Sequence, residues 1–235
     1  MVSYNVKAIK GKQKLFILLA VLTAVVALLI FLFPQVIIVA ITKNKFSRDK
    51  TPYAYIIPVD RKLSTSISNI KKISENDCID FKFSAPWELV ERHVDEKSAI
   101  FFKFSKKKGI IVYLDNEEDK NLRESTELGK ESLPTFENYT NVLNVSPDQI
   151  TIFIPYEKAK EKAARLIEKA IYATYGEKIY KFKTKNIRGF QFGDPNNENP
   201  VFVHFFDEKD RIFKMRFYSA TQDEIDFILS SIEIL

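Results

Sequence analysis

The chain has 235 residues, 20 of them phenylalanine, with six glycines, one cysteine and a formal net charge of +5. A single cysteine excludes an internal disulfide, and the few glycines form neither a phosphate-binding loop nor a dinucleotide fingerprint. Residues 1–62 carry ten bases and two acids, which leaves 26 bases and 29 acids in residues 63–235. A nucleic-acid-binding domain needs a basic face, so the sequence predicts no nucleic-acid partner.

An uncharged apolar run extends from Leu15 to Thr42. Crossing a hydrocarbon core of ~30 Å takes ~20 helical residues, whereas a cleaved signal peptide has an apolar stretch of only ~7 to 15. The run therefore predicts an uncleaved transmembrane helix over 15–42, with the lipid bilayer as a partner. The full run is longer than the core, and tilt or an early exit near Pro34 would absorb the difference. Positions along this predicted span include Leu15, Leu22, Leu28, Phe33, Pro34 and Ile41.

The charges that flank the run bear on its orientation. Residues 1–14 form a Lys-rich tail without acids, which favours a cytoplasmic N-terminus. Basic residues from Lys43 to Lys62 favour the opposite orientation. Long domains cross membranes largely regardless of charge, so we expect a single-pass protein of the inner cell membrane with an extracytoplasmic C-terminal domain. The opposite orientation stays open.

Residues 43–68 are polar and contain two prolines, which predicts a juxtamembrane linker ahead of a soluble α+β domain at 69–235. Apolar and polar residues alternate along several segments of this domain, as in half-buried strands. The predicted strands cover Ile79–Phe83, Trp87–Val94, Ile100–Phe104, Ile110–Leu114, Lys178–Thr184, Arg188–Phe192, Val201–Phe206 and Ile212–Ser219. The acidic stretch Asp115–Ser132 is interpreted as an exposed loop or a weak helix.

Helical spacing appears in three segments of the domain. Apolar residues predict a short helix from Phe136 to Leu143, and one apolar face predicts a longer helix from Tyr156 to Tyr175 that Gly176 closes. A capping box at Thr221–Glu224 opens an amphipathic C-terminal helix. The span Ile150–Ile154 fits a strand as well as a helix that begins at Ser146. The predicted fold class is α+β, an antiparallel sheet with flanking helices.

Three stretches carry a resemblance to a known family: the segment FKFSAPWELV from Phe81, the hairpin VFVHFFDEKDRIFKMRFYS from Val201, and the closing helix that ends in SSI. Together, over Ile79 to Leu235, they resemble the PsbP-like family and its bacterial DcrB-type relatives. The resemblance implies an α/β sandwich in an exported or membrane-anchored bacterial protein, and it implies no catalytic residue. The chain departs from the family in its long Asp115–Tyr175 segment and in its helical anchor.

Candidate chemistry is sparse. His93 and His204 have no second His or Cys at metal-ligand spacing, and Cys78 lacks the local signature of a nucleophile. The sequence therefore predicts no catalytic residue, no metal, no cofactor and no enzymatic activity. A mixed aromatic and basic face of the last hairpin is the candidate interaction face, and it comprises Phe202, His204, Phe206, Lys214, Arg216 and Tyr218. The alternative is that a helix covers the aromatic residues while the basic side chains extend to solvent.

The predicted function is that of a membrane-anchored, non-catalytic interaction or envelope-assembly protein. One alternative is an inner-membrane subunit of a secretion or conjugation-type machine with a periplasmic α+β domain. A second alternative is a ligand-binding or hydrolytic domain. The protein partner and the oligomeric state stay open.

Overall fold

The structure is a computed structural model that describes residues 3–64, 67, 73–95, 99–105, 107–113, 135–172, 178–197 and 200–235, with side chains for all of these except 3–15, 31, 171 and 172. The helices are α1 (Ser3–Lys45), α2 (Phe136–Leu143), α3 (Tyr156–Tyr172) and α4 (Gln222–Ser230). The strands are β1 (Val59–Asp60), β2 (Ser74–Asp77), β3 (Phe81–Ala85), β4 (Glu91–Asp95), β5 (Ala99–Lys103), β6 (Gly109–Tyr113), β7 (Ile179–Lys183), β8 (Arg188–Phe192), β9 (Val201–Phe206), β10 (Ile212–Tyr218) and β11 (Glu233–Ile234).

The described strands form two sheets. The main sheet has the order β1-β7-β8-β9-β10-β6-β5-β4, and the small sheet has the order β11-β3-β2. Every pair of neighbours is antiparallel except β1 and β7, which run parallel. The chain therefore has an α+β fold with a mixed main sheet and an N-terminal apolar helix, which confirms the predicted class at this level.

One face of the main sheet is covered by the small sheet and α4. The ring of Phe81 on β3 meets that of Phe205 on β9 edge-to-face at 5.3 Å, and Phe83 meets Phe102 in the same way. The predicted capping box at the start of α4 is present, since the Thr221 side chain accepts from the Glu224 backbone and the Glu224 side chain accepts from the Thr221 backbone. These contacts fix α4 and the small sheet over the phenylalanine-rich core.

The opposite face of the main sheet is covered by α2 at its β7-β8-β9 end. Tyr139 of α2 is buried there against the rings of Phe190 and Phe206. α3 packs against α2 and also contacts α1. The domain is therefore layered, with the small sheet and α4 on one side of the main sheet and two successive helices on the other.

The described structure differs from the predicted elements at two places, and a third predicted element is not described. Trp87–Val94 becomes a strand only from Glu91, because Trp87 packs its ring at 5.2 Å from that of Phe104 and donates to the Glu224 carboxylate. Ile150–Ile154 forms neither a strand nor a helix and follows a short 3₁₀ turn at Pro147–Gln149. The predicted loop Asp115–Ser132, together with Leu114 and Gly176, lies outside the described residues.

The segment predicted as a linker, 43–68, also contributes to the folded domain. It forms a 3₁₀ turn at Pro52–Tyr55 and the strand β1, which pairs with β7. The Ala54 side chain in this turn is fully buried. Strand pairing in the main sheet therefore begins ahead of the predicted domain boundary at residue 69, because β1 pairs with a strand more than a hundred residues away.

Candidate functional site

The N-terminal helix has two regions that differ in their surroundings. From Phe16 to Lys45 it is long and apolar enough to cross a membrane, and its most apolar 18-residue window has no buried residue. Beyond Pro34 the side chains of Gln35, Thr42 and the following Phe46 are nearly fully buried. Their spacing places them on one helical face, and the helix packs against α3. The apolar helix therefore runs without a break from an exposed region into a region docked on the domain.

Contacts beyond α1 strengthen this docking. The Tyr55 hydroxyl donates to the Phe46 carbonyl at 2.7 Å. Lys169 of α3 is fully buried, and its Nζ donates to the carbonyls of Ile56 and Val145 at 2.6 and 2.7 Å. Burial lowers the pKa of Lys169 to about 8. The end of α1, the segment after it and α3 are therefore tied together by buried hydrogen bonds.

The six residues of the candidate interaction face divide into two groups. Phe206 and His204 are buried beneath α2, with exposed fractions of 0% and 5%. Phe202, Lys214, Arg216 and Tyr218 are half-buried beside them. The cross-strand register pairs Phe202 with Arg216 and His204 with Lys214, so all lie on the same face of β9 and β10. α2 covers one end of the predicted face and leaves the other end partly exposed.

The covered end is held by a buried polar pair. The Tyr139 hydroxyl hydrogen-bonds Nδ1 of His204, whose ring also packs 5.0 Å from that of Phe192. Burial, assisted by the nearby Lys214 charge, holds the pKa of His204 well below its ordinary value of 6.5. Near neutral pH His204 is thus an uncharged residue of the packed interior, and its Nδ1 is already hydrogen-bonded to Tyr139.

This environment predicts a loss of stability in acid. Below pH 6.5 the unfolded chain takes up a proton at His204 that the folded chain does not, so the free energy of unfolding falls by about 1.4 kcal/mol per pH unit from this group. We expect His204→Gln, which retains a partner for Tyr139, to remove that slope. Urea unfolding of the full chain in detergent, followed by emission of its single tryptophan, Trp87, at several pH values measures it. Identical slopes in the two proteins would contradict the assignment.

The exposed end of the face combines aromatic rings with a cation. The Arg216 guanidinium lies 4.8 Å from the Phe202 ring centroid and 4.9 Å from that of Tyr218. On the same side of the sheet, Phe101 of β5 is 38% exposed. Aromatic residues and arginine are the residue types that most often dominate binding at protein interfaces. The surface formed by Phe202, Arg216 and Tyr218, here the arginine–aromatic surface, is therefore suited to a protein partner.

A second concave region lies at the β1–β7 edge of the main sheet. It is a cleft of about 830 Å³ between residues 60–63 and the β7–β8 hairpin. Its basic side chains are Arg61, Lys62, Lys181, Lys183, Lys185 and Arg188. The sequence does not predict this cluster, because residues 61–62 meet residues 181–188 only through the pairing of β1 with β7. The repeated lysines at 181, 183 and 185 are the one local signal that points to it.

One wall of this cleft is fixed by a buried ion pair. The Arg61 guanidinium binds the Asp226 carboxylate of α4 and donates to Gln191 Oε1 at 2.8 Å. Asp226 also accepts from the Ser64 backbone and from the Gln222 side chain. Through these bonds the segment after β1 is attached to α4, which fixes Arg61 and the neighbouring Lys62 at the cleft.

Cys78 and His93 are the remaining titratable candidates. Cys78 is buried in the turn between β2 and β3, and burial raises the pKa of its thiol to about 12. His93 is exposed on β4 at the end of the main sheet. Among the described residues, no group of three or more His, Cys, Asp or Glu side chains is placed to hold a metal ion.

Comparison of the chain with protein-family models, with curated proteins and with solved structures finds no match. The resemblance to the PsbP-like family therefore stays a prediction.

Proposed function

We propose that the protein is a membrane-anchored interaction protein of the bacterial envelope that binds a protein partner without catalysing a reaction. Its α+β domain stands outside the cytoplasmic membrane. The observation that carries the proposal is the unbroken passage of α1 from an exposed apolar region to a face docked on α3. The layered sheet with flanking helices agrees with a PsbP-like domain, and the arginine–aromatic surface supplies a site for the partner.

In this proposal the bilayer holds only the first region of the apolar helix. Phe16–Phe33 is about 27 Å long as an α-helix, close to the ~30 Å of a hydrocarbon core. The region from Gln35 onward contacts α3, which carries eight charged residues among its 17. So many charges are costly in hydrocarbon, so α1 leaves the bilayer near Pro34. The domain then lies directly on the membrane surface.

The orientation is tested by labelling an introduced cysteine. Cys78 is buried and its thiol pKa is raised, so it stays unlabelled in the folded protein. Glu208→Cys places a second thiol in the exposed turn between β9 and β10. A membrane-impermeant maleimide added to spheroplasts is expected to label this variant and to leave the wild type unlabelled. Labelling that requires permeabilised membranes would place the domain in the cytoplasm and overturn the topology.

The partner surface is tested by site-specific photocrosslinking. A photoreactive phenylalanine analogue at Tyr218 is expected to crosslink one discrete membrane or envelope protein, and Arg216→Glu is expected to abolish that product. Phe153 is 89% exposed and lies in the loop before α3, so the analogue at this position serves as the control. Equal crosslinking from Tyr218 and Phe153, or a product that survives Arg216→Glu, would contradict the proposed surface.

The same experiment separates a second candidate function, an inner-membrane subunit of a secretion or conjugation-type machine. The observation that favours this candidate is the ordered segment that follows the anchor, where the turn at Pro52–Tyr55 and β1 join the helix directly to the sheet. Crosslinked products that are components of such a machine would support this candidate over a general envelope-assembly role.

A further inference from the structure

We propose that the cleft at the β1–β7 edge binds a phosphate-bearing anion. β1 ends at Asp60, and the Arg61 amide still donates to the Lys181 carbonyl at 2.8 Å, whereas β7 continues to Lys183. The chain therefore separates from β7 after Arg61, and the cleft lies between them. Its volume of about 830 Å³ lies within the range of small-molecule sites, ~300 to 1,000 Å³. The cleft therefore has room for a phosphate together with part of the molecule that carries it.

The charge of the cleft favours a multiply charged anion. Arg61 and Arg188 are paired with Asp226 and Asp210, whereas Lys62, Lys181, Lys183 and Lys185 make no ion pair with any described residue. The six basic residues of the cleft, together with Asp60, Asp210 and Asp226, have a net charge of +3. Residues 63–235 carry fewer bases than acids, so this concentration of positive charge is local. A phosphate group, with a charge of about −1.5 to −2, matches it better than a single carboxylate does.

The donors that line the cleft match the chemistry of a phosphate group. They are the ammonium groups of its lysines, the guanidinium groups of Arg61 and Arg188, and the hydroxyl groups of Thr184 and Ser230. Lys183 and Lys185 are exposed, so their ammonium groups are accessible to an anion in the cleft. Phosphate oxygens accept charge-assisted hydrogen bonds from lysine and arginine and ordinary hydrogen bonds from hydroxyl groups.

Two sources of this phosphate lie within reach. The Tyr55 hydroxyl donates to the carbonyl of Phe46, directly after α1, and the six residue-to-residue steps from Tyr55 to Arg61 span at most ~22 Å. The cleft is therefore near the membrane-proximal part of the domain, where anionic lipid headgroups are available. A soluble phosphorylated molecule offers the same chemistry. The inference requires only the cleft and is independent of the proposed protein partner.

The test uses the full chain in phosphatidylcholine nanodiscs. One arm titrates pyrophosphate by calorimetry, and the other measures photolabelling by a diazirine-bearing phosphatidic acid in the disc, whose monoester phosphate can carry a second negative charge. Binding in the first arm alone identifies a soluble ligand, and labelling in the second alone identifies a lipid headgroup. K183E/K185E alters two exposed lysines of the cleft. In whichever arm the wild type binds, we expect this double variant to bind at least about 30-fold more weakly.

The matched control is K158E/K160E, which makes the same change in net charge at two exposed lysines of α3. We expect this control to change binding less than about threefold, because the charges lie outside the cleft and are screened over a Debye length of ~8 Å. The urea midpoint of each variant verifies folding. No binding in either arm, or an equal loss in both double variants, would overturn the proposal.

Discussion

Replacing Gly189 with alanine is expected to lower the free energy of unfolding by about 3 kcal/mol or more. An added Cβ would lie 2.4 Å from the His204 carbonyl oxygen and 2.8 Å from the Phe205 Cα. Both are backbone atoms of β9, which pairs with β8 at this position. The Phe182 ring, at 2.9 Å, closes the space from another side. The strands would have to separate to admit one methyl group, so the ladder between β8 and β9 is expected to break.

Gly109→Ala is the matched control for this prediction. Its nearest neighbour would be the Phe102 carbonyl oxygen at 3.4 Å, and the contact allows a methyl group with little movement. We expect the free energy of unfolding to change by less than about 0.5 kcal/mol. The tighter contact destabilises the folded state slightly, but alanine also lowers the conformational entropy of the unfolded chain, and the two effects offset each other. Urea unfolding of both variants in detergent, followed by Trp87 emission, measures the difference. Equal destabilisation by the two changes would show that the close approach at Gly189 has no special role.

Asp226→Ala is expected to destabilise the domain by about 3 kcal/mol. The Asp226 side chain is nearly fully buried and is paired with Arg61. Its removal leaves the guanidinium without a counter-ion and the Ser64 amide without its acceptor. A buried charge that loses its partner carries an uncompensated desolvation cost, which is why the effect exceeds the value of an ordinary hydrogen bond.

A surface ion pair provides the comparison for Asp226. Asp148 pairs with Arg48 at 3.0 Å, but both side chains are more than 60% exposed. Asp148→Ala is expected to change the free energy of unfolding by less than about 1 kcal/mol. Limited proteolysis adds a local readout, since the segment from Arg61 to Ser64 is expected to become susceptible in Asp226→Ala and to stay protected in Asp148→Ala. Unchanged protection in both would contradict a tethering role for Asp226.

Local patterns in the sequence accounted for much of the domain. The alternation from Val201 to Ser219 and the capping box at Thr221 depend on neighbouring residues, and both elements form as predicted. Trp87–Val94 formed a shorter strand because Trp87 finds its partners in Phe104 and Glu224, which are distant in sequence. No local pattern specifies such contacts.

The candidate sites also depend partly on local sequence patterns and partly on contacts between residues distant in sequence. Alternation placed Phe202, His204 and Phe206 on one face, but only the position of α2 determines which end of that face is covered. The basic cleft could not be derived from the sequence, because Arg61 and Lys183 come together through a two-residue parallel pairing at the edge of the sheet. Parallel edge pairs of this length leave almost no periodic signal.

Because α1 is continuous, it determines the rotational orientation of the domain around the membrane normal in the proposed membrane-anchored arrangement. Because the helix continues through Pro34 to the docked residues, the direction in which the cleft and the arginine–aromatic surface point is coupled to the helical phase of the exposed apolar region, the part that spans the bilayer in the proposed arrangement. Each residue of an α-helix advances that phase by about 100°. Inserting one residue ahead of Pro34 would turn the domain away from a partner fixed in the same bilayer, whereas inserting seven would nearly restore its azimuth while raising it by about 10 Å.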